Sequence, residues 1–150
     1  LRTRRQRQMC IRDSGNAVDQ HYAGQKPPVD LIIPVPMHNK KLVNRGFNQS
    51  LEIAKHLSKR YAIPLYRNAS IRLKATAAQQ TLGKKARALN TQQLFSTNAA
   101  ATLKINGKHI AIVDDVVTTG STANALTKCL VESGASTCEI WCFARTPVHS

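Results

Sequence analysis

The stretch "HIAIVDDVVTTGST", residues 109–122, limits the possible folds more than any other part of the chain. Ile110 to Val113 form an unbroken apolar run, the pattern of a strand covered on both faces, as in parallel sheets. Asp114 and Asp115 end it. Small hydroxylated residues around Gly120 follow, and then "STANALTKCLVESGA" (121–135) reads as an amphipathic helix. Its inward positions are Ala125, Leu126, Cys129 and Leu130, with Gly134 as the C-cap. Two repelling carboxylates at a strand tip and a poorly packing Thr/Gly/Ser cluster have no use in a core. A bound ligand explains both.

The same strand–loop–helix order recurs upstream. Residues 15–28 read as polar chain ending in "QKPP", a breaker before a strand, and "VDLIIPVP" (29–36) reads as a short buried strand closed by Pro34 and Pro36. "MHNKKLVNRG" (37–46) is a basic loop. "FNQSLEIAKHLSKRY" (47–61) has Leu51, Ala54, Leu57 and Ser58 at helical spacing, with Lys and Arg late, where the helix dipole favours them. "IPLYRNASIRL" (63–73) is extended. "KATAAQQTLGKKARALN" (74–90) reads as a loop running into a short helix from about Lys84, and residues 91–107 as irregular chain ending in an Asn-Gly turn. "STCEIWCFART" (136–146) is the last strand. Strands alternating with helices predict an α/β domain with a central, mainly parallel sheet flanked by helices.

The N-terminus changes the charge count. Residues 4–14, "RRQRQMCIRDS", resemble the translation of a common transposon-type sequencing adaptor. Residues 1–14 are therefore set aside as an adaptor artefact, and residues 15–150 taken as an N-terminally truncated domain. A native basic arm for nucleic acid is the alternative. The full chain of 150 residues carries a net charge of +14. Without the five Arg and one Asp of residues 1–14, 17 basic residues still face 7 acidic ones, a balance of +10. Phosphorylated small molecules or nucleic acid are the expected partners. No apolar run approaches the ~20 residues of a membrane span. No targeting segment is legible, so the cytoplasm is the expected location. Cys129, Cys138 and Cys142 lack zinc-site spacing and read as core thiols of a reduced compartment.

In an open parallel sheet, ligands bind beyond the carboxyl ends of the strands. Asp114 and Asp115 stand at such an end. They are suited to accept the vicinal hydroxyls of a ribose, directly or through Mg²⁺. Val117, Thr118, Thr119, Gly120, Ser121 and Thr122 then present backbone amides and hydroxyls at a helix N-terminus, which is an anion site. Gly120 allows close approach. Diol-binding acids a few residues before a phosphate cradle match a ribose 5-phosphate. No GxxxxGK[ST] loop is present, which disfavours an ordinary nucleoside triphosphatase.

"IAIVDDVVTTGST" resembles the signature of type I phosphoribosyltransferases. "DLIIPVPMHNKKLVNRGFNQ", together with Arg72, Thr76, Gln79, Leu82, Arg87 and Asn90, is similar to the competence protein F (ComF/GntX-like) group. The three matches run from about Asp30 to the C-terminus. Members of that group usually begin with a four-cysteine zinc finger, which this sequence lacks, in keeping with the expected truncation. The resemblance implies a type I phosphoribosyltransferase-like fold and a site for 5-phosphoribosyl 1-pyrophosphate (PRPP) with Mg²⁺. Val35, Pro36, Met37, Lys40, Lys41 and Arg45 would bind pyrophosphate, although a solvated loop also explains the lysines. Arg45 would hold pyrophosphate or a base-side carboxylate. Residues 72–87 would be a lid that brings Arg72, Lys84, Lys85 or Arg87 to the leaving group. Asp114 and Asp115, with Arg72 and Arg87, would carry catalysis, and the two acids would bind Mg²⁺ indirectly.

His38 is the one candidate general base, and a structural or solvated role is commoner for such a loop histidine. Tyr22, Tyr61, Tyr66 and Trp141 form no pattern that names an acceptor. Three functions stay open: a transferase using PRPP, a non-catalytic PRPP-binding or DNA-uptake accessory protein, and a single-strand nucleic-acid binder. The last lacks interleaved basic and aromatic residues. A homodimer is also expected from the resemblance, with no interface legible.

Overall fold

The computed structural model describes residues 4–36, 48–69, 71–72, 95–114 and 121–143, the side chains of 4–10, 71–72 and 121 excepted. Three parallel strands form the central sheet: β1 (Leu31–Pro34), β4 (His109–Asp114) and β5 (Thr137–Cys142), in the order β1-β4-β5. Leu31 pairs with Ile110 and Ile33 with Ile112, while Ile112 faces Ile140 on the other side. Leu65 adds a parallel bridge to Ile32 on the outer side of β1, where Ile32 N–H donates to Pro64 O and Tyr66 N–H to Ile32 O. The parallel sheet expected from the sequence is thus present, with β4 at its centre.

Side chains alternate along each strand, so the sheet has two covered faces. Leu31, Ile33, Ile110 and Ile112 point to one face, where they meet Ala125, Leu126 and Leu130 of α4 (Ser121–Glu132). Ile32, Ala111, Val113 and Trp141 point to the other. There they meet Ile53, Ala54 and Leu57 of α2 (Gln49–Tyr61) and Val18 of α1 (Arg4–His21). The inward stripe of α4 is the predicted one. That of α2 is shifted: Ile53, not Leu51 or Ser58, fills the place beside Ala54 and Leu57. A single helical stripe must sit over the strand pair it covers, and 53, 54 and 57 are the positions that do so.

Two segments differ from expectation. Residues 15–21, read as polar chain, belong to α1, which continues through Ser14 and Gly15 without a break. Its moderate apolar content hides a helix held mainly by tertiary contacts. Gly15 brings the helix close to α2: a Cβ there would lie 3.0 Å from His56 Nε2. Tyr61 donates to Gly15 O at 3.2 Å, and the Tyr61 hydroxyl and Arg60 guanidinium both donate to Asp19. The Tyr61 and Arg60 hydrogen bonds hold the Asp19 carboxyl below its usual range, while burial, followed by the Asp19 charge, pushes the Tyr61 phenol up to about 12. Residues 91–107, read as irregular, hold β3 (Phe95–Ser96) and the short helix α3 (Ala99–Ile105). Asn98 caps α3 by accepting from Ala101 N–H at 2.8 Å, a local signal that outweighs the weak periodicity of the segment. β3 pairs antiparallel with β2 (Ile71–Arg72), Ile71 against Ser96 and Arg72 against Phe95.

The predicted turns hold. Gly107 closes the Asn-Gly turn at φ +72°. Gly134 ends α4 at φ +112°, with Ala135 N–H donating to Leu130 O. Burial raises the thiols of Cys129 and Cys138, as expected of core cysteines. Cys142 departs from that expectation, because it lies exposed at the end of the edge strand.

Candidate functional site

The site starts where β1 and β4 end together. Pro34 pairs with Val113, and Val35 N–H donates to Val113 O at 2.9 Å, which carries the pairing to the residue beside Asp114. Asp114 is the last residue of β4 and is only 9 % exposed, a carboxylate held at the centre of the sheet's carboxyl edge. The next described residue is Ser121, where α4 begins. The strand ending at Asp114 and the helix opening at Ser121 are those expected from the sequence, with Thr122 half-buried in the first turn of α4, and residues 115–120 lie outside the described residues.

The head of α2 is fastened to the same edge. Asn48 caps the helix by accepting from Leu51 N–H at 3.3 Å, and its Nδ2 donates to Val35 O at 3.3 Å. One asparagine thus ties the start of α2 to the end of β1. The first turn of α2 then lies at the carboxyl edge of the sheet, where the positive end of the helix dipole favours anions. Glu52 at this end is the reverse of an anion attractant, but it pairs with Lys55 at 3.3 Å.

Behind Asn48, Gln49 and Ser50 are 3 % and 4 % exposed. The side-chain amide of Gln49 has both Oε1 and Nε2 buried, without a hydrogen-bond partner among the described residues. The sequence reading starts the helical segment at Phe47 but gives Gln49 no role. The signal was present: Gln49, Ile53 and Leu57 are spaced i, i+4, i+8, so a polar residue occupies one position of an apolar stripe.

The sequence candidates divide as follows. Val35 lies in the core, its side chain packed among the residues beneath α4 and its amide and carbonyl engaged with Val113 and Asn48. Pro36, next along, is half-buried at the same edge. Arg72 belongs to β2, paired with Phe95, and this pair brackets the segment assigned to the lid. Met37, Lys40, Lys41, Arg45, Arg87, Asp115, Val117, Thr118, Thr119 and Gly120 lie outside the described residues, as do Lys84, Lys85 and His38. Asp114, Val35 and Pro36 are thus brought to one edge, with the start of α4 leading away from it.

A second feature was not legible beforehand. A cleft of about 310 Å³ lies between α1 and β5, lined among others by His21, Tyr22, Trp141 and Phe143. Tyr22 and Trp141, which carry no pattern in the sequence, stand 6.3 Å apart between ring centroids. Glu139 organises them: it accepts from the Tyr22 hydroxyl and, at 2.7 Å, from Trp141 Nε1, and it faces His109 Nε2 at 3.2 Å. Burial, then the Glu139 carboxylate, pushes the Tyr22 phenol up to about 12.

Among the described residues, no three His, Cys, Asp or Glu side chains form a metal cluster, and no helix is long and apolar enough to cross a membrane.

No protein-family profile matches the chain. Curated relatives do. DNA utilization protein YhgH of Shigella flexneri is 38 % identical over 117 residues, 78 % of this chain and 50 % of the relative. Competence protein F of Haemophilus influenzae is 36 % identical over 116 residues, 77 % of this chain and 50 % of the relative. Competence protein ComFC of Bacillus subtilis is 29 % identical over 104 residues, 69 % and 39 % of the two chains. The chain spans about half the length of the first two relatives and less of the third. Among solved structures, the purine phosphoribosyltransferase of Pyrococcus horikoshii superposes with a TM-score of 0.53 at 20 % identity, over 95 % of this chain and 75 % of that one. Hypoxanthine phosphoribosyltransferase of Trypanosoma cruzi gives 0.54 at 16 %, over 99 % and 76 %. At such identities the likeness establishes the fold, and both names denote type I phosphoribosyltransferases.

Proposed function

The chain belongs to the competence protein F family, on a type I phosphoribosyltransferase fold, and from that premise we propose that it binds PRPP with Mg²⁺ and transfers the phosphoribosyl group to an acceptor. The observation that carries the proposal is Asp114, a nearly buried carboxylate at the carboxyl end of the central strand, seven residues before the start of α4 at Ser121. A core strand rarely ends on a buried charge unless the charge has work to do.

In this proposal Asp114 and Asp115 accept hydrogen bonds from the ribose hydroxyls. Val117 to Thr122 and the N-terminus of α4 hold the 5-phosphate. Met37, Lys40, Lys41 and Arg45, with the edge formed by Val35 and Pro36, face the pyrophosphate. The C1–O bond breaks with its electron pair leaving on pyrophosphate, and the acceptor's nucleophilic atom bonds to C1 and releases its proton. Carboxylates near the ribose favour the positive charge that develops on the sugar, and Arg72 and Arg87 neutralise the leaving group. Asp114 offers the hard oxygen donor that Mg²⁺ prefers, directly or through a bound water. Bound there, Mg²⁺ would supply charge neutralisation on the pyrophosphate. A cytoplasmic place of action and a homodimer belong to the same proposal.

The test is calorimetric titration with PRPP, with and without Mg²⁺, beside the double variant Asp114→Asn, Asp115→Asn. Mg²⁺-dependent binding by the parent and its loss in a folded variant is the expected result. Equal binding by both would sink the ribose assignment.

The names of the relatives favour a second function, a non-catalytic PRPP-binding or DNA-uptake accessory role. Tight PRPP binding without turnover across acceptors would select it. If the positive charge serves single-stranded DNA, affinity will fall steeply with salt and survive loss of the two acids.

A further inference from the structure

We infer that Gln49 contacts the ligand directly, its side-chain amide donating from Nε2 to an anionic oxygen and accepting at Oε1 from a hydroxyl of a sugar phosphate bound at the carboxyl ends of β1 and β4. This rests on the proposed PRPP site and adds to it a residue from the opposite helix.

Gln49 opens α2 and is 3 % exposed, and among the described residues neither atom of its amide has a hydrogen-bond partner. Leaving a buried amide unpaired is costly, because its lost hydrogen bonds to water are not replaced, so native folds seldom keep one without a use. Below it on the same stripe, Ile53 and Leu57 pack against Ile32, Ala111, Val113 and Trp141. An apolar side chain at 49 would simply extend that packing. In a helix the Cα–Cβ bond tilts toward the N-terminus, so the side chain of the first helical residue leans past the helix end. That end is tied by Asn48 to Val35 O, and Val35 in turn to Val113, next to Asp114. The amide therefore lies at the carboxyl edge, on the face of the sheet opposite α4. A phosphate alone would satisfy only its donor, and an apolar group neither atom. A ribose bearing phosphates presents both hydroxyl donors and anionic acceptors.

The experiment titrates the full chain with PRPP and with ribose 5-phosphate by calorimetry, and records thermal unfolding of the unliganded protein. The variants are Gln49→Met, which keeps length without the amide, and Gln49→Glu, which keeps shape and replaces the donor with a charge. Expected are PRPP affinities at least 10-fold weaker in both, and a melting temperature for Gln49→Met equal to or above the parent's. Parent-like affinity in Gln49→Met overturns the inference while leaving the PRPP site standing. So does a lowered melting temperature, because the amide would then be serving the fold. Failure of the parent to bind either sugar phosphate overturns both.

Discussion

The two ends of the central sheet treat their polar groups differently. At the amino end they are closed among themselves. Asp30 N–H donates to His109 O at 2.8 Å and the Asp30 carboxylate accepts from His109 N–H at 2.9 Å. Gly107 N–H donates to Gly134 O, Ser136 N–H to Lys108 O, and Glu139 gathers Tyr22, Trp141 and His109. At the carboxyl end, Asp114 is buried where the strand stops, and among the described residues the Gln49 amide is buried with no hydrogen-bond partner. Satisfied networks of the first kind hold elements in place, whereas a buried amide left unpaired is the kind of group that a ligand can complete. On the proposed function, the same strands serve stability at one end and recognition at the other.

That contrast can be broken or sharpened by substitution, and the largest effect is expected at the carboxyl end. Gly120→Val, in the segment the sequence assigns to the phosphate, should lower PRPP affinity 10-fold or more while circular dichroism shows helix content unchanged. Glu139→Ala leaves the Tyr22 hydroxyl and Trp141 Nε1 without their acceptor. It should cost about 2 kcal/mol in urea unfolding and leave PRPP affinity within two-fold, unless the cleft lined by those rings takes part in binding. Gly134→Ala forces a Cβ to within 2.7 Å of Asn106 Oδ1 at φ +112°. A loss of about 1–2 kcal/mol without change in affinity is the expected outcome, read from the same unfolding curves. Asn48→Ala removes a cap at the ligand end. It should cost about 1 kcal/mol and also weaken PRPP binding, which separates it from the two substitutions at the amino end.

The smallest effect concerns pH. Burial against α1, followed by the Arg60 charge, lowers the His56 pKa below its ordinary 6.5. The fold therefore favours the neutral imidazole, and the unfolded chain binds the proton more readily. Stability from this group is complete above pH 6.5 and declines as pH falls below it. His56→Gln should flatten the part of the stability profile that declines below pH 6.5, as read by urea unfolding across pH.

What could be read in advance follows from the range of each signal. The apolar run at 110–113 and the inward stripe of α4 are set by neighbours a few residues away, so period and composition sufficed. The alternation of Leu31 and Ile33 with Ile32 between two faces follows from the strand itself. α1 was missed because its docking depends on partners 40 and more residues distant: Tyr61 and Arg60 for Asp19, Glu139 for Tyr22. α3 was missed because seven residues hold too few turns for periodicity, and Asn98 was passed over as loop composition.

Of the site, the sequence by itself determined the chemistry: two acids ending a buried strand, then amides and hydroxyls opening a helix, all within one continuous segment. Covalent linkage keeps such a segment together whatever the rest of the chain does. Only the tertiary structure decided that Gln49 lies at the same edge as Asp114, across 64 residues of intervening chain, because that depends on the register of β1 against β4 and on the Asn48 bond to Val35. The pairing of Tyr22 with Trp141 around Glu139 arises in the same way. No local pattern encodes it, because each side chain is indifferent to its partner until the sheet and α1 have closed upon one another.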